Sequence, residues 1–176
     1  MYTNSKELPI TAYNTASKSL ERITLLRPGL ARIYVCGLTP YDSMHVGHAR
    51  TFVFYDIFRR YLEYLGVEVR FVTNFTDIDD KIINRARQEF GGDLINRWYE
   101  VPSRYIKEFF DAMDRLYVKR AYAYPRVTEN INDMLRWIQE LVSKNLAYVS
   151  PPDGSVYFDI TKVLGMASSQ GRRSRS

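Results

Sequence analysis

The run Cys36-Gly37-Leu38-Thr39-Pro40-Tyr41-Asp42-Ser43-Met44-His45-Val46-Gly47-His48 gathers the chain's chemically capable side chains into thirteen residues. It follows the apolar segment Arg32-Ile33-Tyr34-Val35 and leads into an amphipathic pattern starting near Val46. A strand, a small-residue turn and a helix start bring unpaired backbone N–H groups to one spot. Those groups and the helix dipole both favour phosphate there. Gly47 lets a flat group approach the backbone where a Cβ would intrude. His45 and His48 are the only two histidines of the chain. A nucleotide site is the chemistry this pattern fits. Taken alone, an H-x-x-H pair is equally compatible with ordinary helix-start histidines. A zinc pair is disfavoured, because helical metal pairs sit at i, i+4. Cys36, the one cysteine, reads from pattern alone as a buried small hydrophobe.

The elements that must position these residues can be read from periodicity. Arg32 to Leu38 is predicted as a buried strand. From Val46 to Leu65, Phe54, Ile57, Phe58, Tyr61, Leu62 and Leu65 fall at helical spacing, with Arg59, Arg60 and Glu63 opposite and Gly66 as the stop. Val67 to Phe75 alternates and is β-branched, which predicts a second strand. Strand, helix and strand joined by a long crossover imply a right-handed parallel βαβ unit. Thr76 with Asp79 has the spacing of a capping box, so a helix is expected after Thr76, broken at Gly91-Gly92. Tyr105 to Tyr117 and Ile131 to Val142 outline two further helices. Ala147–Val149 and Val156–Phe158 read as a hairpin across Pro151-Pro152-Asp153-Gly154. Before Pro28-Gly29 the chain reads as an arm with one short strand.

Bulk properties narrow the class. The 176 residues suffice for one sizeable core, and 45% hydrophobic with 26% charged residues is ordinary for a globular protein. No apolar run reaches membrane-spanning length, and residues Met1 to Glu7 lack a signal-peptide core, so a cytoplasmic setting and no membrane partner are expected. A single cysteine excludes an internal disulfide. A net charge of +5 is compatible with RNA without demonstrating it. Lys81 to Arg87 and Arg97 to Arg120 read as solvated faces. The Ser, Gln, Gly and Arg composition of 168–176 predicts disorder.

His45-Val46-Gly47-His48 resembles the H-x-G-H signature of class I aminoacyl-tRNA synthetases. With Cys36-Gly37-x-Thr39-x-Tyr41-Asp42 before it and Asn74-Phe75-Thr76-Asp77-Ile78-Asp79-Asp80-Lys81 after it, the chain resembles the cysteinyl-tRNA synthetase family from about Arg32 to Asp159. The resemblance implies an α/β fold, the first half of a class I Rossmann-like nucleotide-binding domain. It divides the chain into an arm (1–31), that half-domain (32–120), the start of an inserted connective domain (121–165) and a disordered basic tail (166–176). It implies activation of L-cysteine by ATP with magnesium, then transfer to tRNA(Cys). His45 and His48 would be catalytic, and with Gly47 they would bind ATP. Gly37, Thr39 and Thr76 would bind cysteine, and Cys36 would be a zinc ligand. Zinc with an open position can take a substrate thiolate and reject serine's hydroxyl.

The family's other zinc ligands are a later cysteine, histidine and glutamate. This chain has no second cysteine and no histidine after His48, so its metal site is expected to be incomplete. No K-M-S-K-S-type string is present either, which predicts that the chain is inactive alone and works with a separate C-terminal half. Two rivals remain. Thr39-Pro40-Tyr41-Asp42 also resembles the cysteine ligases of mycothiol biosynthesis, although Asp77-Ile78-Asp79-Asp80-Lys81 and Ala49-Arg50-Thr51-Phe52 look more like the synthetase. The other rival is a truncated, non-catalytic nucleotide-binding module.

Overall fold

The computed structural model describes residues 5–163, and the tail expected over 166–176 lies outside them. The first two strands, β1 (Glu7–Asn14) and β2 (Ser19–Thr24), pair antiparallel. The arm therefore holds a hairpin where the sequence predicted one strand. The β2 residues Ser19-Leu20-Glu21-Arg22-Ile23-Thr24 alternate without a buried face, so hydropathy gave little sign of them. The described residues fall into two compact units, one from 5–6 and 25–129, the other from 7–24 and 130–163.

The first unit contains the expected parallel βαβ. Strand β3 (Leu30–Leu38) leads to helix α1 (Val46–Tyr64), which returns to β4 (Glu68–Phe75) beside β3. Helix α1 stops at Gly66, whose φ of 83° and N–H bond to the Glu63 carbonyl, with Val67 N–H on Leu62, form a Schellman ending. The parallel register runs Leu30 opposite Glu68 through Val35 opposite Thr73, then resumes at Leu38 opposite Phe75. Three steps on β3 thus match two on β4, a bulge formed at Cys36-Gly37. Bridges from Val72 to Ala123 and from Phe75 to Arg126 extend the pairing along the other edge of β4. Helices α2 (Asp80–Phe90), α3 (Leu94–Arg97) and α4 (Glu100–Arg115) follow.

Two aromatic-rich cores hold this unit. One joins Leu38, Phe52, Phe75, Ile106, Phe109 and Met113, with Phe75 stacked on Tyr124 at 5.6 Å and edge-on to Phe109 at 5.2 Å. The other joins Ile82, Ala86, Val101 and Tyr105 of α2 and α4. The first includes Leu38 and Phe52 from the two elements that flank the Cys36–His48 run, and Tyr41 of the run packs against the second.

Three readings are corrected here. The strand over 32–38 is buried on one face only, with Arg32, Tyr34 and Cys36 exposed. On α1 the fully buried residues are Phe52 and Leu62, whereas Phe54 and Ile57 are about 60% exposed (61% and 62%). The polar side is drawn inward instead. Arg59 donates to the Arg120 carbonyl and to Glu63, Arg60 donates to the Tyr117 carbonyl and to Asp56, and Asp56 accepts from Lys119 N–H. Burial alone would raise the Glu63 carboxyl, but hydrogen bonds from Lys119 and Arg59 outweigh it and hold it below the ordinary value. Finally, α2 is capped by Asp79, whose carboxylate accepts from Lys81 N–H at 2.8 Å, and not by Thr76.

In the second unit, α5 (Ile131–Ser143) ends at Asn145 with φ of 56°, and β5 (Ala147–Val149) pairs antiparallel with β6 (Val156–Phe158) as expected. No residue of α5 is buried. Among the described residues no helix is long and apolar enough to cross a membrane.

Candidate nucleotide site

Beyond the Cys36-Gly37 bulge the chain passes through buried Pro40 and turns into α1. A recess of about 310 Å³ opens along this turn. Gly37, Leu38, Thr39, Tyr41 and Asp42 line one stretch of it, and Ser43, Met44, His45, His48 and Lys81 complete it. The turn is pinned from outside. Met44 packs on the Phe75 core, and Ser43 Oγ donates to Glu108 of α4 at 3.2 Å.

His45 is the N-cap of α1, with extended backbone (φ −109°, ψ 170°). Its Nδ1 accepts from Gly47 N–H at 3.1 Å, and His48 Nδ1 accepts from His45 N–H at a long 3.5 Å. The two rings stack with centroids 3.9 Å apart. A ring that accepts through Nδ1 is neutral with its proton on Nε2, so each imidazole keeps an Nε2–H donor for a ligand. Burial, then the neighbouring His45, lowers the His48 pKa below the ordinary 6.5. The helix start predicted to offer bare N–H groups is thus capped by its own histidines, and the rings present the donors instead. Gly47 has a local reason: a Cβ there would come within 2.9 Å of the His45 ring.

Among the described residues the cation lining the recess is Lys81, its Nζ 5.2 Å from the centre of the Tyr41 ring. The acidic run after β4 does not gather. Asp77 is 4% exposed and accepts from both N–H and Oγ1 of Thr128, at 3.0 and 2.6 Å, while Asp79 caps α2.

Of the residues singled out from sequence, Gly37, Thr39, His45 and His48 meet at the recess. Gly47 lies behind the His45 ring. Thr76 is half-buried at the end of β4, its N–H donating to the Leu38 carbonyl at 3.1 Å, and it does not line the recess. Cys36 is exposed, against the buried hydrophobe its pattern suggested, because strand alternation puts it on the outward face of β3 with Arg32 and Tyr34. Among the described residues no three His, Cys, Asp or Glu side chains gather as a metal would need. The donor set around Cys36 therefore does not fit zinc, which needs three or four protein ligands. Sequence reasoning gave no role to Asn74 and none to Thr128. A polar amide near the end of a β-branched strand, where Asn is disfavoured, was the available signal for the first.

The family model for the class I (C) tRNA synthetase catalytic domain matches residues 22–175. The cysteine–tRNA ligase of Pyrobaculum islandicum is 64% identical over 151 residues, covering 86% of this chain and 32% of the relative. That of Moorella thermoacetica is 48% identical over 150 residues, 85% of this chain and 30% of the relative. That of Gloeothece citriformis is 43% identical over 166 residues, 94% of this chain and 33% of the relative. The chain spans about a third of the length of the curated relatives it matches. It belongs to the class I (C) tRNA synthetase catalytic-domain family.

Proposed function

We propose that this chain supplies the ATP-binding part of a cysteine–tRNA ligase, which activates L-cysteine as cysteinyl adenylate and transfers it to the 3′ end of tRNA(Cys). The observation that carries this reading is the stacked His45–His48 pair on the recess wall at a helix start, each Nδ1 taken by a backbone N–H so that Nε2 is left to face a ligand. As the cysteine carboxylate attacks the α-phosphorus and pyrophosphate departs, negative charge grows on the phosphate oxygens. Two fixed donors stabilise that charge without reorganising, which is what such transfer chiefly requires. Gly47 lies beside the adenine, and Gly37, Thr39 and Thr76 contact the cysteine. Magnesium accompanies ATP as part of the substrate. Cys36 offers a metal one sulfur donor, and among the described residues no further ligands gather beside it. The reaction belongs in the cytoplasm, with tRNA.

The isolated 176-residue chain is inactive in this reading. Among the described residues its recess carries one cation, Lys81, and its sequence holds no K-M-S-K-S-type string for the departing pyrophosphate. The remaining segments of the family's length complete the site. The names and identities of the relatives support this reading over a mycothiol-type ligase or a non-catalytic module. The test is cysteine-dependent ATP–pyrophosphate exchange by the chain mixed with the C-terminal portion of the Pyrobaculum islandicum relative. His48→Ala lowers the rate at least tenfold, about 1.4 kcal/mol of transition-state stabilisation. Unchanged exchange in that variant contradicts the assignment.

A further inference from the structure

The carboxamide of Asn74 is the busiest side chain at the ends of the two parallel strands. Gly37 N–H donates to Asn74 Oδ1 at 2.9 Å, Tyr34 Oη donates to the same oxygen at 2.9 Å, and Asn74 Nδ2 donates to Thr76 Oγ1 at 3.2 Å. The amide orientation follows from chemistry. A backbone N–H can only donate, so the atom facing Gly37 is the oxygen, and the NH₂ group must face Thr76. The bulge at Cys36-Gly37 breaks the ladder opposite Asn74, and the Asn74 side chain supplies the acceptor that the ladder lost. Gly37 fits tightly here, since a Cβ would lie 1.6 Å from the Asn74 carbonyl oxygen.

We propose that Asn74 is a positioning residue for the amino-acid subsite, fixing the Thr76 hydroxyl as a hydrogen-bond donor to an acceptor group of the substrate. The Thr76 oxygen accepts from Asn74 through one lone pair, which turns its proton away from the Asn74 NH₂ group and toward a substrate acceptor. The backbone on both sides of this hydroxyl is held. Thr76 N–H is tied to Leu38, and buried Asp77 is tied twice to Thr128. The substrate group that takes this proton is an acceptor, a carboxylate oxygen or the cysteine sulfur. This rests on the reading of Thr76 as a cysteine contact.

The test uses the full chain combined with the C-terminal portion of the Pyrobaculum islandicum relative, in ATP–pyrophosphate exchange. Asn74→Asp keeps the acceptor for Gly37 and Tyr34 but turns the Thr76 proton inward, because a carboxylate only accepts. The KM for cysteine then rises at least about tenfold, with the KM for ATP within about twofold and the Gly37 amide still protected from exchange. Thr76→Val reproduces the effect and Thr76→Ser restores most of the affinity. Combining Asn74→Asp with Thr76→Val is no worse than either alone, since both remove one donor. An unchanged KM for cysteine in Asn74→Asp, a parallel rise in both KM values, or additive effects overturns the proposal alone. Absence of cysteine-dependent exchange in the unmodified combination overturns the functional reading, and this proposal with it.

Discussion

At the residue scale the two histidines act on each other before they act on any ligand. Their reciprocal capping requires unprotonated Nδ1 atoms, so the conformation is linked to pH. His48 has its folded pKa lowered, first by burial and then by His45. The charged groups facing the pair are Lys81 and Asp42 across the recess. A lowered histidine pKa means that the cap contributes fully above the ordinary value of 6.5 and is lost as pH falls through the folded value. Proton NMR titration of the His48 ring gives a midpoint below 6.5, with the His45 amide, which donates to His48 Nδ1, losing protection over the same range. A midpoint above 6.5 contradicts the capped geometry. The H-x-x-H pair itself was legible in the sequence. Its capping was not, because N-caps are ordinarily Ser, Thr, Asp or Asn and imidazoles give no such signal.

At the element scale the βαβ unit follows from periodicity, and the errors have local causes. The Thr76–Asp79 spacing imitated a capping box, but Thr76 is spoken for by Leu38 and Asn74, which leaves Asp79 to cap α2. The exposed side of α1 was misjudged because Asp56, Arg59, Arg60 and Glu63 find partners around 117–120, a contact that spacing along one helix does not encode. Strand β4 offers two opposed stability tests. Thr73 Oγ1 is buried with no hydrogen-bond partner among the described residues. Thr73→Val therefore stabilises the chain by about 1 kcal/mol, since it removes an unsatisfied hydroxyl at nearly constant shape. Gly37→Ala destabilises it by about 1–3 kcal/mol or more through collision with the β4 backbone. Thermal or denaturant melts distinguish these signs directly. A Thr73→Val variant that melts earlier would show that the hydroxyl has a partner in solution.

At the scale of the whole molecule, much apolar surface stands uncovered. Phe54, Ile57 and Tyr64 form an exposed line on α1, and α5 buries none of its residues. Among the described residues β3 has β4 as its one strand partner, while the far edge of β4 is bridged by the segment around 122–127. Such surfaces favour association with further protein. They fit a chain that spans about a third of its relatives. The sequence carried the family and the histidine site because those reside in contiguous motifs. A metal donor set and a K-M-S-K-S-type loop were not legible, since this sequence holds no second cysteine, no histidine after His48 and no such string.

The most direct measurement is aminoacylation: purified chain, ATP with magnesium, radiolabelled cysteine and total tRNA, with and without the C-terminal portion of the Pyrobaculum islandicum relative. Losing even one charge-stabilising donor costs about 2.7–4 kcal/mol, two to three orders of magnitude in rate, and these 176 residues hold no K-M-S-K-S-type string. The account predicts charging only when both parts are present, lowered at least about tenfold by His48→Ala. Robust charging by the 176-residue chain alone, or none with both parts together, would contradict it.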